Sequence, residues 1–202
     1  MEVQRALSDL AEVRDRLAAL QRFHGYSAFA AGASGVFAFV AAYLQWQAAP
    51  APQTPAALHA YIVIWLTCLA AALAFNYGAV VAWVLRNRGP RALSQFRSAA
   101  LTIAPSIVLG GTLSVALVDH GVYTLLPGTW FACYGIGLFA SRDMLPERTM
   151  PVTAAFIALA FVFLLTPLEA RALEWWVMPI GFGVGQLGIG YLIWRDRLHH
   201  GR

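Results

Sequence analysis

Six long apolar stretches without ionised side chains constrain the fold of this chain more than any other feature. None of them contains Asp, Glu, Lys or Arg, and each approaches or exceeds the ~20 residues that an α-helix needs to cross ~30 Å of hydrocarbon. The stretches cover residues 24–46, 59–85, 99–118, 122–140, 150–168 and 175–194. This pattern predicts an all-α membrane protein with six transmembrane helices.

The composition leaves little room for a soluble domain. The 202 residues are 59% hydrophobic and 12% charged, whereas soluble domains are about 25% charged. We therefore expect one transmembrane domain over residues 23–195 and a short tail over 196–202. Residues 1–22 lack the uninterrupted apolar core of a signal peptide, so the first transmembrane helix is predicted to be a retained anchor.

The arginines predict how the helices are oriented. Every basic residue is an arginine, and all but Arg171 fall in four segments at alternate polar gaps. The segments contain Arg5, Arg14, Arg16 and Arg22; Arg86, Arg88, Arg91 and Arg97; Arg142 and Arg148; and Arg195, Arg197 and Arg202. Because cytoplasmic loops are enriched in arginine and lysine, both termini are predicted to be cytoplasmic. The same bias accounts for most of the net charge of +4, and no nucleic-acid partner is predicted.

Residues 1–22 have the pattern of an amphipathic helix that precedes the first transmembrane helix. Apolar residues alternate at spacings of three and four, the a and d positions of three heptads: Val3, Ala6, Leu10, Val13, Leu17 and Leu20. Such a helix can lie flat on the membrane, pack on the protein's own loops, or pair with a helix of another chain. Membrane-surface helices usually carry a strongly cationic face, whereas four acids balance the four arginines here. The pattern therefore favours protein–protein pairing.

The loop from Arg86 to Arg97 contains four arginines, including Arg88 and Arg91, and no acidic residue. Topology control and contact with anionic lipid headgroups account for such a loop. The alternative is a docking site for an acidic partner or a phosphate group.

Small polar residues lie near the middle of several predicted helices. They are Ser34, Cys68, Ser106, Cys133, Tyr134 and Gln186, with Asn76 nearer the cytoplasm. Hydrogen bonds between helices explain such residues, at about 0.6 kcal/mol per pair. A midplane ligand pocket around Ser106, Tyr134 and Gln186 is the alternative, because transporters bind substrates at this depth. The two cysteines fit the role of small buried hydrophobes.

The sixth predicted helix, over residues 175–194 and called helix 6 below, carries Gly181 and Gly185 four residues apart, which places both on one face. A face of small residues lets two membrane helices approach closely. The motif predicts close helix packing and is one basis for expecting assembly.

His59, Asp119 and His120 are predicted to lie at the outer boundary. Two histidines and a carboxylate suit zinc or iron, and paired histidines can hold a haem. Because the residues come from different helices, their spacing gives no support to this site, and interfacial histidines in contact with water are the alternative.

Several reaction classes lack the residues that they require. The predicted helices contain no carboxylate or ammonium group to carry a proton, which argues against an ion-coupled pump. The sequence has no HExxH motif, no intramembrane aspartate pair and no GxSxG motif, which argues against an intramembrane protease. No cofactor is predicted, apart from the metal or haem alternative.

The last third of the chain contains a helix with Pro127 and then Tyr134-Gly135, followed by a helix with Trp176 and then Gly181-Phe182-Gly183. This arrangement resembles a loose group of small bacterial inner-membrane proteins of unknown function. The resemblance implies a bacterial inner-membrane location and six helices, and it identifies no functional residue.

Three functions are compatible with these patterns. The first is a non-enzymatic membrane subunit that assembles with itself or with another protein through residues 1–22 and the arginine loop. The second is a small-molecule or lipid carrier with the midplane pocket. The third is a metal- or haem-binding protein that uses His59 and His120.

Overall fold

The computed structural model describes residues 27–86, 90–166 and 169–200, and this part of the chain is helical without any β-strand. Its α-helices are α1 (Ala28–Ala48), α2 (Pro55–Arg86), α3 (Pro90–Asp119), α4 (Leu126–Ala140), α5 (Met150–Leu165) and α6 (Val184–His200). Short 3-10 helices cover Tyr123–Leu125, Arg142–Met144, Glu147–Thr149 and Glu169–Leu173, and a π-helix over Pro179–Gly183 leads into α6. The all-α prediction is confirmed.

Four of the helical segments are long and apolar enough to cross a membrane, namely Ala28–Ala48, Pro55–Arg86, Phe96–Asp119 and Glu147–Leu165. The other two predicted spans differ in regularity. Helix α4 has 15 residues and covers about 22 Å, since the preceding turn is a 3-10 helix. The sixth stretch is divided by the π-helix, where Pro179 has no N–H to donate to the helix ladder.

The helix ends are marked by local capping residues. The Ser27 side chain accepts a hydrogen bond from Ala30 N–H (3.2 Å), so α1 begins after an extended residue. Gly121, with φ 72°, ends α3 in the left-handed conformation that favours glycine. The Val122 and Gly121 N–H groups donate to the carbonyls of Leu117 and Val118. The predicted helix over 1–22 lies outside the described residues.

Helices α1 and α6 pack closely along faces of small residues. A Cβ on Gly190 would lie 2.9 Å from Ala28 O and 2.9 Å from Gly32 N. A Cβ on Gly35 would lie 2.8 Å from Leu187 Cγ and 2.9 Å from Gly183 O. All four distances are shorter than real Cβ contacts, so only glycine permits this approach. The first and last described helices are therefore neighbours.

A cluster of aromatic rings fills the space between α4, α5 and the π-helix that leads into α6. Phe131 of α4 lies 5.3 Å from Phe182 and 6.1 Å from Phe156, measured between ring centroids. A Cβ on Gly181 would lie 2.2 Å from Phe131, and one on Gly185 would lie 2.6 Å from Phe156. The small face of helix 6 therefore packs inside the chain, against phenylalanine rings, and gives no support to pairing between chains.

Alternate connections lie at opposite ends of the bundle. At one end, which we call the Gln45 end, Gln45 Nε2 donates to Leu173 O (2.8 Å) and Trp175 N–H donates to Pro50 O (3.0 Å). At the other, the arginine end, Met144 packs on a cluster from α2 and α3 that includes Val80 and Ala99. This end carries the described side chains of Arg86, Arg97, Arg142, Arg148, Arg195 and Arg197, whereas Arg171 lies at the Gln45 end.

The helices differ strongly in how much of their surface the protein covers. In the most apolar 18 residues of α1, 44% are buried inside the protein, compared with 11% for the same length of α2 and 11% for that of α3. The exposed residues of α2 and α3 are mainly large and apolar, such as Val108 and Val115. Helix α1 is thus a central element, and α2 and α3 are peripheral.

Candidate functional site

The predicted midplane residues lie in separate helix contacts. Asn76 of α2 donates to Ser34 Oγ of α1 (2.7 Å), and Ser34 donates to Ala30 O (2.9 Å). Ser106 and Cys133 lie in the contact between α3 and α4, against Gly137 and Gly110 respectively. Half-buried Cys68 of α2 packs against the main core.

The structure does bring together Tyr134 and Gln186, which are predicted members of the pocket. Gln186 Nε2 donates to Tyr134 Oη across the contact between α4 and α6. The Tyr134 ring lies 4.8 Å from Phe156 and 5.3 Å from Phe182, edge-on to both. Ser106 lies in a different contact, between α3 and α4, so the three predicted pocket residues are divided between two helix pairs. The midplane pocket stays a prediction.

Replacing Tyr134 by phenylalanine is expected to lower the free energy of unfolding by about 0.6 kcal/mol, and by no more than about 1.7 kcal/mol. The ring contacts remain, and only the hydroxyl that accepts from Gln186 is lost. Reversible unfolding in mixed micelles measures the difference. Tyr43→Phe, which removes a hydroxyl from an exposed side chain of α1, is the control and should change the free energy by less.

At the Gln45 end, the His120 ring contacts the backbone of α3. His120 Nδ1 lies 2.8 Å from Ala116 O, one turn earlier in α3. Among residues 27–86, 90–166 and 169–200, no group of three or more His, Cys, Asp or Glu side chains could hold a metal ion. The structure therefore does not assemble His59, Asp119 and His120 into such a group.

The predicted arginine loop is largely helical in the structure: α2 ends at Arg86 and α3 begins at Pro90, so Arg91 and Arg97 lie on α3 and not in a loop. We keep the name arginine loop for residues 86–97. Both helices are longer than the hydrocarbon core of a membrane. Helices α2 and α3 contain 32 and 30 residues, or about 48 and 45 Å, compared with ~30 Å of hydrocarbon. Arg86 and Arg97 are exposed, as is Leu93 (61%). Arg88 lies outside the described residues, and of Arg91 only the backbone is described, in the first turn of α3.

One buried polar cluster, around Gln45, was not predicted from the sequence. Gln45 is completely buried, accepts a hydrogen bond from Trp65 Nε1 (2.8 Å) and donates to Leu173 O. It therefore ties α1 to α2 and to the segment before α6. A glutamine inside an apolar stretch is a signal for such a bond, but Gln45 lies at the end of the stretch 24–46, where a polar side chain can also reach the membrane interface.

An apolar groove runs along α1 and the beginning of helix 6 near the Gln45 end. Its volume is about 510 Å³. Five aromatic side chains line it: Phe39, Tyr43, Trp46, Trp175 and Trp176. Ile180 and Val184, which are 50% and 58% exposed, form part of the opposite wall. Exposed apolar residues are expected in lipid, but a concave aromatic surface of this size is a candidate binding site.

The aromatic groove and the exposed arginine loop are thus the two features with the geometry of contact sites. The groove lies near the Gln45 end, and the arginine loop lies at the opposite end of the bundle. No known protein family, curated protein or solved structure matches this chain.

Proposed function

We propose that the protein is a non-enzymatic assembly subunit of a bacterial inner membrane, with six transmembrane helices and both termini in the cytoplasm. The distribution of arginines supports this orientation. Every described arginine side chain but Arg171 lies at one end of the bundle, and that end is assigned to the cytoplasm by the positive-inside rule. In the proposal, residues 1–22 bind a second copy of the chain at this end.

The beginning of α1 is the observation that carries the proposal. Ser27 has φ −92° and ψ 119° and caps the helix, so α1 begins afresh at Ala28. An extended residue at this point means that the direction of α1 does not dictate the direction of the residues before it. A segment with a and d positions is therefore free to align with a helix of another chain.

The charges of residues 1–22 are compatible with a pair of identical helices. In a parallel pair, Asp9 at a g position faces Arg14 at an e position of the other chain, which is an attractive combination. Three heptads are marginal for pairing in water. Anchoring in the same membrane raises the effective concentration of the two helices and compensates for their short length.

The arginine loop offers a second contact for the assembly. Arg86 is the last residue of α2, and Arg97 lies in the second turn of α3, one turn after exposed Leu93. A surface that combines exposed cations with an apolar side chain suits an acidic partner. We assign this surface a supporting role, because contact with anionic lipid would explain the same charges.

Energy transfer between labelled chains in lipid vesicles tests the proposal. The double variant Leu10→Asp, Leu17→Asp places charges at two a positions and is expected to abolish the transfer that the unchanged protein shows. The matched control, Ala11→Asp with Ala18→Asp, places the same charges at two b positions and should retain it.

Two results would contradict the proposal. One is an unchanged protein that shows no more transfer than chance proximity at the same protein-to-lipid ratio. The other is equal transfer in the two double variants, which would mean that the a positions do not carry the pairing.

A further inference from the structure

We propose that the aromatic groove binds an acyl chain of one glycerophospholipid from the membrane leaflet at the Gln45 end, and that Arg171 contacts the lipid phosphate. This site is separate from the proposed assembly, because residues 1–22 precede the end of α1 that lies opposite to the groove. It differs from the predicted midplane pocket in both place and chemistry.

The depth of the groove corresponds to one leaflet. Its lining on α1 extends from Trp46 to Phe39, seven residues deeper, which is about 10 Å along the helix. Three tryptophans lie at its shallow end, as expected at the level of lipid headgroups. Trp176 Nε1 donates to the Glu174 carboxylate, so the polar edge of the indole is directed to a charged group while its ring lines the groove.

The shape of the groove favours a flexible chain over a helix. Membrane helices approach each other through small residues, and the small residues of this region, Gly35 and Gly183, are already used between α1 and helix 6. The groove itself is lined by bulky rings such as Phe39, Tyr43 and Trp46. An acyl chain can follow the spaces between such rings, whereas a straight helix would contact only their edges.

The protein's own remaining segments do not suit the groove. Residues 1–26 precede α1 at the arginine end, and 87–89 connect α2 to α3 at that same end. Residues 167–168 are two residues between α5 and the 3-10 helix Glu169–Leu173. The lipid of the surrounding leaflet is the occupant that reaches this depth without crossing the membrane.

Charges next to the tryptophan wall bear on the choice of headgroup: the Glu174 carboxylate accepts from Trp176 Nε1, and Arg171 lies three residues before Glu174. Arg171 is exposed, and its carbonyl accepts from Glu174 N–H (3.2 Å), so it lies one turn before the tryptophans of the wall. No other described arginine side chain lies at this end of the bundle. Its guanidinium can donate two hydrogen bonds to a phosphate. A phospholipid whose headgroup carries both a phosphate and an ammonium group, such as phosphatidylethanolamine, therefore suits the apolar groove, Arg171 and the neighbouring Glu174 carboxylate.

Native mass spectrometry provides the test. The full chain is reconstituted in vesicles of equal parts phosphatidylethanolamine and phosphatidylglycerol, extracted in mild detergent, and weighed with its retained lipid. We expect one phospholipid per chain. Val184→Trp fills the groove from its exposed side and should remove the retained lipid, whereas Val108→Trp, the same change at an exposed position of α3, should retain it. Arg171→Gln should reduce the retained fraction about fivefold.

Equal lipid retention by Val184→Trp and Val108→Trp would overturn the proposal, and so would an unchanged protein that retains no lipid. A mass of two chains that is lost in Val184→Trp would assign the groove to a second copy instead. If Val184→Trp does not elute as a single species, Ile180→Trp takes its place, since Ile180 is also an exposed residue of the wall.

Discussion

Replacing Gln45 by leucine is expected to lower the free energy of unfolding by about 2–4 kcal/mol. The leucine fills a similar volume but leaves two buried groups, the Trp65 indole N–H and the Leu173 carbonyl, without their present partner. Each unsatisfied buried group costs about 1–3 kcal/mol. The average hydrogen bond between membrane helices contributes only about 0.6 kcal/mol. We expect more here because one completely buried side chain serves two partners from different segments.

Gln47→Leu is the matched control for this prediction. Gln47 lies two residues later and is exposed, with a weak bond of 3.3 Å to the Tyr43 hydroxyl. Its replacement should change the free energy of unfolding by less than about 0.5 kcal/mol. Reversible unfolding in mixed micelles compares the two variants, and an equal loss in both would refute the role assigned to Gln45.

Replacing Gly190 by alanine is expected to destabilise the protein by about 1–3 kcal/mol, although alanine favours a helix by about 1 kcal/mol relative to glycine. The added Cβ would lie 2.9 Å from Ala28 O and 2.9 Å from Gly32 N. Both are backbone atoms, so neither can rotate away, and α1 and α6 must separate.

The control for Gly190 is Gly188→Ala, in the same helix. The nearest atom to a Cβ at Gly188 is Val152 Cγ2 at 3.7 Å, which is an ordinary contact. Here the gain in helix propensity, up to about 1 kcal/mol, should not be offset by a clash. Thermal denaturation of the two variants in one detergent compares their stabilities. A Gly190→Ala protein at least as stable as Gly188→Ala would show that the two helices do not depend on this close contact.

The sequence predicted the positions of helices better than the contacts between them. Uncharged apolar stretches are visible directly, and the bounds of α1, α2 and α5 agree with them within four residues. Helix α3 begins nine residues earlier than predicted, at Pro90, because its first turns carry the arginines that ended the apolar stretch. The shortness of α4 was not predicted, because the composition of residues 122–140 does not distinguish a 3-10 turn over Tyr123–Leu125 from the α-helix that follows it. The π-helix was likewise missed, although Pro179 and the glycines after it are its local cause.

The depth of a residue in the membrane can be estimated by counting residues along the sequence. The rotation of each helix about its axis cannot be estimated in this way. Ser106 and Tyr134 were placed at similar depths, yet Tyr134 contacts α6 while Ser106 contacts Gly137. Gly181 and Gly185 predicted a close approach correctly. Their partners, Phe131 and Phe156, lie on helices that are distant in sequence, so the pattern of helix 6 alone could not identify them.

The contact between α1 and α6 also has a consequence for biosynthesis. Gly35 and Gly190 are separated by about 150 residues, which a ribosome adds in roughly 8–30 s. During that interval the chain inserts α1, the most buried of the four long apolar helices, before the partner of its glycine face exists. Helix α6 therefore covers this face only late in synthesis. A chain that stalls before α6 leaves an uncovered small-residue face in the membrane, a feature by which quality control can distinguish unfinished copies from finished ones.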